Sequence, residues 1–263
     1  MVYIHLPLIG FLIVSFMMLL LWFYQLKSNN AGVIDIGWAL GLVILAGIYA
    51  AGLPGYKFRE SILFFMVFIW GFRLSGLLVN RFRRDAQEDR RYQKLRQDWG
   101  KFLQLKFLAL FLFEGLLDLV LSVPFFLICL NPNPQISVFE WIAVGVWIVA
   151  FAGEVISDEQ MRRFKKEQTN RNKVCQVGLW NYSRHPNYFF EWCMWLAYSL
   201  LALSAPHGWM GLISPVIMYH FLINVTGVPL AEEMALRSKG EEYRRYQITT
   251  SFFVPLPKRK GNV

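Results

Sequence analysis

Apolar stretches of about 20 residues recur along the whole chain, and each is long enough to cross a bilayer as a helix. At 263 residues, 56% hydrophobic and with a mean hydropathy of +0.36, the chain reads as all-α, a polytopic transmembrane helical bundle and not a soluble domain. The pattern predicts seven spans, over 4–26, 33–52, 62–80, 102–130, 138–157, 188–204 and 209–226. The fourth is long enough to tilt or to contain an interfacial turn near Pro124. The first lacks a basic leader and a small-residue cleavage site, so it is expected to stay in place as a span.

Loop charge sets the expected orientation. Lys and Arg number nine in 81–106, seven in 157–187 and seven from 229 onward, whereas the opposite loops offer only Lys57 and Arg59. The positive-inside rule then puts these three segments in the cytoplasm, the N-terminus outside and the C-terminus inside. Topology and anionic lipid thus account for the net charge of +9, and nucleic acid is excluded as a partner. Cys129, Cys175 and Cys193 show no metal-ligand spacing and read as free thiols. Without an internal repeat or a long linker, residues 1–263 are expected to form one integral membrane domain, with any cofactor-binding half at about 138–263.

Ionisable residues within spans are costly unless paired or hydrated, so each is a functional hypothesis. Asp35, with Trp38 one turn on, suits a helix cap and interfacial anchor as well as a site. Arg73 calls for a carboxylate from another helix. Glu114 and Asp118, like Glu154 and Asp158, are four apart and share a helix face. Two such carboxyls in low dielectric suit a proton donor, and salt bridges to Arg73 or Arg162 are the structural alternative.

The segment after the fifth span, SDEQMRRFKKEQTNRNKVCQVGLWNYSRHPNYFFE, combines cations with Trp180, Tyr182 and a His-Pro turn. Cations neutralise phosphates and aromatic rings stack on flat heterocycles, so a nucleotide-like ligand is expected. Neither GxGxxG after a strand nor GxxxxGKS is present. The ligand would therefore sit in the cytoplasmic mouth of the bundle.

The run from Glu154 to Glu191, with D-x3-R-x2-K at Asp158, Arg162 and Lys165, then GLWNYSRHPN and the N-x3-E of Asn187 and Glu191, resembles the C-terminal half of steroid 5α-reductase-like membrane proteins, closest to their bacterial branch. DIGW at Asp35–Trp38, DRRYQKLRQDWG at 89–100, and EEYRRYQ and FVPLP in the tail extend the likeness over the chain. The resemblance implies an NADPH-dependent reductase in a bacterial inner membrane, acting on an activated C=C bond of an apolar lipid, steroid-like or isoprenoid substrate.

Carried across by position, the resemblance assigns cofactor binding to Asp158, Arg162, Lys165, Lys173, Tyr182, Arg184, His185, Asn187, Tyr188, Glu191, Glu232, Tyr243 and Tyr246. Lys165 or Lys173 would meet a 2′-phosphate, and Arg184 a phosphate. His185 would bond the nicotinamide or a phosphate, or else serve the start of the sixth helix, where Pro186 fits the first turn. For Glu233, Glu241 and Glu242 an amphipathic helix on the membrane is the competing reading. Steroid reductases carry a Gln-Glu pair after the second span where this chain reads LPGYKFRES, so Tyr49, Glu114 and Asp118 stand in as candidate catalytic groups. Isoprenylcysteine and phospholipid methyltransferases are similar near the C-terminus, through Arg184-His185-Pro186, Glu232-Glu233 and Tyr243, which leaves an S-adenosylmethionine enzyme as an alternative. A transporter or lipid-binding protein with a buried charge relay is a third.

Overall fold

The computed structural model describes residues 3, 5–84 and 87–258. Their regular structure is helical, apart from an isolated bridge between Ser183 and Ser251. Six stretches among the described residues are long and apolar enough to cross a membrane: His5–Ser28, Val33–Gly52, Lys57–Arg84, Leu103–Leu130, Val138–Lys166 and Gly208–Lys239. The chain is an integral membrane protein. The stretch expected as a further span, 188–204, forms a helix over Pro186–Ala202, whose 17 residues extend about 26 Å. Ile4, the expected start of the first span, lies outside the described residues.

The chain divides into two compact units, the first being Met1–Val138 with Leu201–Ser214. It contains α1 (His5–Ser28), α2 (Val33–Gly52), α3 (Lys57–Arg84), α4 (Arg90–Trp99), α5 (Leu103–Leu121) and α6 (Val123–Leu130). Helix α2 is its centre and packs against α1, α3, α5 and α6, which bury Leu42, Leu45 and Ala46. By contrast α1 leaves Leu8, Leu12, Phe16, Leu20 and Phe23 exposed, a face for lipid tails. The expected turn near Pro124 is a break between α5 and α6 at Ser122, whose amide donates to Asp118 O (2.9 Å) and whose hydroxyl donates to Leu119 O (2.8 Å). Pro124 lies in the first turn of α6, where a missing N–H costs nothing.

Helix α4 is held down by ionic contacts. Asp89 caps it, accepting from the Arg91 amide at 2.9 Å. Arg96 reaches Glu88 at 2.7 Å and Gln25 at 3.0 Å, and Gln25 donates to Gln104 at 2.8 Å. Burial alone would raise the Asp89 carboxyl, but the Arg91 charge and hydrogen bonds, joined by Arg81, bring it below the ordinary aspartate value. Asp89→Ala should cost about 1 kcal/mol in thermal unfolding at neutral pH, the usual loss for a missing cap. Because the folded value is depressed, this contribution is full above the unfolded value of about 3.9 and fades as pH falls below it, so wild type and variant should converge in acid.

The second unit is Phe139–Leu200 with Pro215–Val263. Its elements are α7 (Val138–Lys166), α8 (Pro186–Ala202), α9 (Ile213–His220), α10 (Val228–Lys239) and α11 (Glu241–Thr249). The last predicted span, 209–226, does not stop there. A π turn at Phe221–Val225 widens the helix, and Pro229 in the next first turn restarts it as α10. The tail is anchored by Phe253, whose ring meets Phe189, Trp192 and Tyr219 at centroid distances of 5.5, 5.8 and 5.6 Å.

Candidate cofactor site

The segment joining α7 to α8 begins with the cationic end of α7. Arg162 pairs with Glu159 through bonds of 2.6 and 2.7 Å on an exposed face, while Asp158 is half-buried. Lys165 and Lys173 line one cavity of about 420 Å³, together with Lys166, Arg171, Lys239, Asn170 and the acidic Glu167. Two residues assigned by resemblance are thus brought together with Lys166 and with Lys239 from α10.

The GLWNYSRHPN run opens at Gly178, whose φ of +57° is a left-handed conformation and whose missing side chain leaves room for the Gln160 amide. Gln160 accepts from the Leu179 amide at 2.9 Å, and the buried Trp180 indole donates to Ser157 O at 2.9 Å, so both tie the turn to α7. The other side is stitched to the tail. Tyr246 donates to Trp180 O and Ser183 O, the Ser183 hydroxyl to Phe253 O at 2.7 Å, the Arg184 amide to Ser251 O at 2.8 Å, and the Leu256 amide to Tyr182 O at 3.0 Å. The Tyr182 ring itself is exposed.

Glu232 is the hub of this arrangement. One oxygen accepts from Arg184 Nε at 2.7 Å and Tyr243 at 3.4 Å and lies 3.2 Å from His185 Nε2; the other accepts from Gln247 at 2.7 Å. Arg184 Nη1 also donates to Gln247 O at 2.6 Å. The Tyr243 phenol is pushed above its ordinary range by burial and then by the Glu232 charge, and the Tyr246 phenol likewise by burial and then by Tyr243. Both therefore remain O–H donors at neutral pH. Four of the residues carried over by resemblance, Arg184, His185, Glu232 and Tyr243, form one network; Gln247, the last residue of the EEYRRYQ run, belongs to it and was not assigned a role.

Along α8, Asn187, Glu191, Trp195 and Tyr198 follow one helical face. The Asn187 side-chain carbonyl is buried without a hydrogen-bond donor, Glu191 accepts from the Trp195 indole at 2.9 Å, and the Trp147 indole of α7 donates to the Tyr198 hydroxyl at 2.9 Å. Tyr188 stacks on the buried His185 ring, with centroids 5.6 Å apart and planes 7° apart. Tyr198 escaped the sequence reading although its spacing from Asn187 and Glu191 continues their stripe.

The three candidate catalytic groups lie in the first unit. The Tyr49 hydroxyl is 3.2 Å from that of Ser122, one turn past Asp118 on α5. Asp118 is fully buried, and Glu114 is half-buried. Glu114 lies within electrostatic reach of Asp35, which accepts from Tyr92 at 2.6 Å and Arg91 at 2.5 Å.

Helices of membrane-spanning length carrying a polar, cation-rich segment between two of them define a polytopic membrane protein with a built polar site. The chain belongs to the family described as protein of unknown function (DUF1295), whose sequence model matches residues 21–250 and so covers every candidate site residue. It is 24% identical over 288 residues to an uncharacterized protein of Schizosaccharomyces pombe, an alignment covering 95% of this chain and 80% of that protein. No solved structure matches it.

Proposed function

We propose that this protein is a membrane-embedded, NADPH-dependent reductase that delivers a hydride to an activated, enone-type C=C bond of an apolar lipid, steroid-like or isoprenoid substrate. The observation that carries the reading is the cavity at the end of α7, whose lining includes Lys165, Lys166, Arg171, Lys173 and Lys239 against one carboxylate, Glu167. Such a surplus suits a ligand with several phosphates. NADPH carries a pyrophosphate and a 2′-phosphate, whereas S-adenosylmethionine has none.

Two further features fit that cofactor. The buried, donor-less carbonyl of Asn187 offers an acceptor suited to an amide N–H such as that of the nicotinamide carboxamide. Lys165 and Lys173 offer the charges for the 2′-phosphate. Arg184 spends Nε and Nη1 on Glu232 and Gln247, so its part in this reading is chiefly to fix the wall on which His185 and Tyr188 stack. When bound, the cofactor supplies the hydride; the protein orients it, excludes water and provides a proton.

The test is tryptophan quenching of the detergent-solubilised protein with NADPH, NADH and S-adenosylmethionine. NADPH should bind most tightly. A Lys165→Ala, Lys173→Ala double variant should lose about 10- to 100-fold of NADPH affinity, as expected for one or two charge-assisted bonds, with NADH changed far less. Tight binding of S-adenosylmethionine with neither dinucleotide would transfer the assignment to a methyltransferase.

A further inference from the structure

The first unit contains a polar centre that the cofactor reading leaves unused. Helices α1, α2 and α5 meet there on two glycines: a Cβ on Gly41 would overlap the Asp118 carboxyl, and one on Gly115 would stand 3.7 Å from the Ser15 hydroxyl. Asp118 is fully buried, neither of its carboxyl oxygens meets a hydrogen-bond donor, and the Ser15 hydroxyl is buried in the same condition. A carboxylate ion so placed would have surrendered its hydration and gained nothing in return, which a helix bundle in a bilayer does not sustain.

The charged groups around it are arranged in order. From α5, Glu114 lies one turn before Asp118 on the same face and is half-buried. From α2 comes Asp35, held by the Tyr92 hydroxyl at 2.6 Å and the Arg91 guanidinium at 2.5 Å, both on α4. Helix α1 contributes Ser15 with the apolar Val14 and Met18. Arg91 and Tyr92 thus hold the Asp35 carboxyl in place, and both Asp35 and Arg91 lie within electrostatic reach of Glu114. A buried carboxyl with no hydrogen-bond donor, one helical turn from a second carboxyl, is an arrangement that holds a proton.

We propose that Asp118 is a proton-binding site, a carboxylic acid that stays neutral at physiological pH and exchanges its proton through Glu114 with water on the side where α4 lies. In each exchange the Asp118 O–H bond breaks as one forms on the Glu114 carboxylate, Glu114 passes that proton to water and takes up another, and the return transfer restores the Asp118 O–H and the Glu114 carboxylate; nothing is oxidised or reduced. Asp35 is a positioning residue that, through Arg91 and Tyr92, ties α4 to the entry. A neutral acid at this depth is the form able to donate a proton to an apolar molecule entering from the bilayer.

The experiment is isotope-edited infrared spectroscopy of the full chain in lipid nanodiscs, with ¹³C-labelled aspartate and no cofactor. The wild type should show a carboxylic acid carbonyl band at neutral pH that disappears in Asp118→Asn, with Asp118→Ser as the second variant should asparagine prevent folding. After transfer to D₂O the band should shift, and Glu114→Gln should slow that shift about a hundredfold, the low end of what a positioned proton-transfer group contributes. Asp118→Asn should also keep the wild-type melting temperature, since it replaces one neutral group by another. Absence of the band in the folded wild type, its survival in both Asp118 variants, or an unchanged exchange rate in Glu114→Gln would each overturn the proposal. With no cofactor in the sample, none of these outcomes bears on the hydride-transfer reading.

Discussion

Truncating Glu232 to alanine is expected to destabilise the protein by about 3 kcal/mol and to loosen the tail, because it leaves the Arg184 charge largely buried without its counter-ion. The side chains of Arg184 and Glu232 are only 11% and 16% exposed, so water can replace little of what is lost. The same truncation deprives Gln247 and Tyr243 of their acceptor. Glu232→Gln keeps one acceptor oxygen and should recover part of the loss. Thermal unfolding in detergent measures the stability, and limited proteolysis of α10 and α11 reports the release. An Arg184→Ala, Glu232→Ala double variant should be less damaged than the sum of the single variants, since removing both charges leaves none stranded. Strict additivity would mean that the pair is not the latch described here.

The latch shows where sequence reading succeeded and where it stopped. Arg184, His185, Glu232 and Tyr243 were gathered by resemblance, yet nothing in their spacing reveals that one carboxylate receives three of them, since Glu232 lies 48 residues from Arg184. Gln247 lies in the EEYRRYQ run that resembles the family, yet nothing in that run marks it as a partner of Glu232. Lys239 joins the cationic cavity for the same tertiary reason.

Six of the seven expected spans and the break at Pro124 were legible because apolar length and a missing N–H act locally. The π turn at Phe221–Val225 was not, since hydrophobic periodicity does not register a helix that widens and continues to Lys239. Segment 81–101 was legible as a cationic loop with a family-like run at 89–100, but not as a set of ion pairs. Its arginines are in fact partners, Arg91 of Asp35 and Arg96 of Glu88, and Tyr92 between them is buried on Asp35. Counting charge says nothing of pairing.

Arg59 is the sharpest instance, and it carries the second large effect. Counted as one of two cations on the side opposite the basic loops, it would be a solvated loop residue; in the structure it is 1% exposed. Its guanidinium donates through Nη1 to Asn131 O at 3.1 Å and Asn133 O at 2.7 Å, and through Nη2 to Gln135 O at 2.8 Å. The planar fork therefore folds the segment after α6 onto the start of α3, where the Tyr56 amide also bonds Asn131 O at 3.0 Å. Asn131 passes the restraint on by donating to Ser204 O at 2.9 Å.

Arg59→Met fills much of the volume but removes the charge-assisted bonds to Asn133 O and Gln135 O, and since both residues are exposed and water can take over there, the cost should be about 1.5–3 kcal/mol. Arg59→Lys keeps the charge but cannot span three carbonyls with one ammonium, so about half of that loss should remain. Melting curves of the two variants beside the wild type decide the matter. Equal melting temperatures for wild type and Arg59→Met would mean that this guanidinium, despite its burial, clamps nothing that the fold needs.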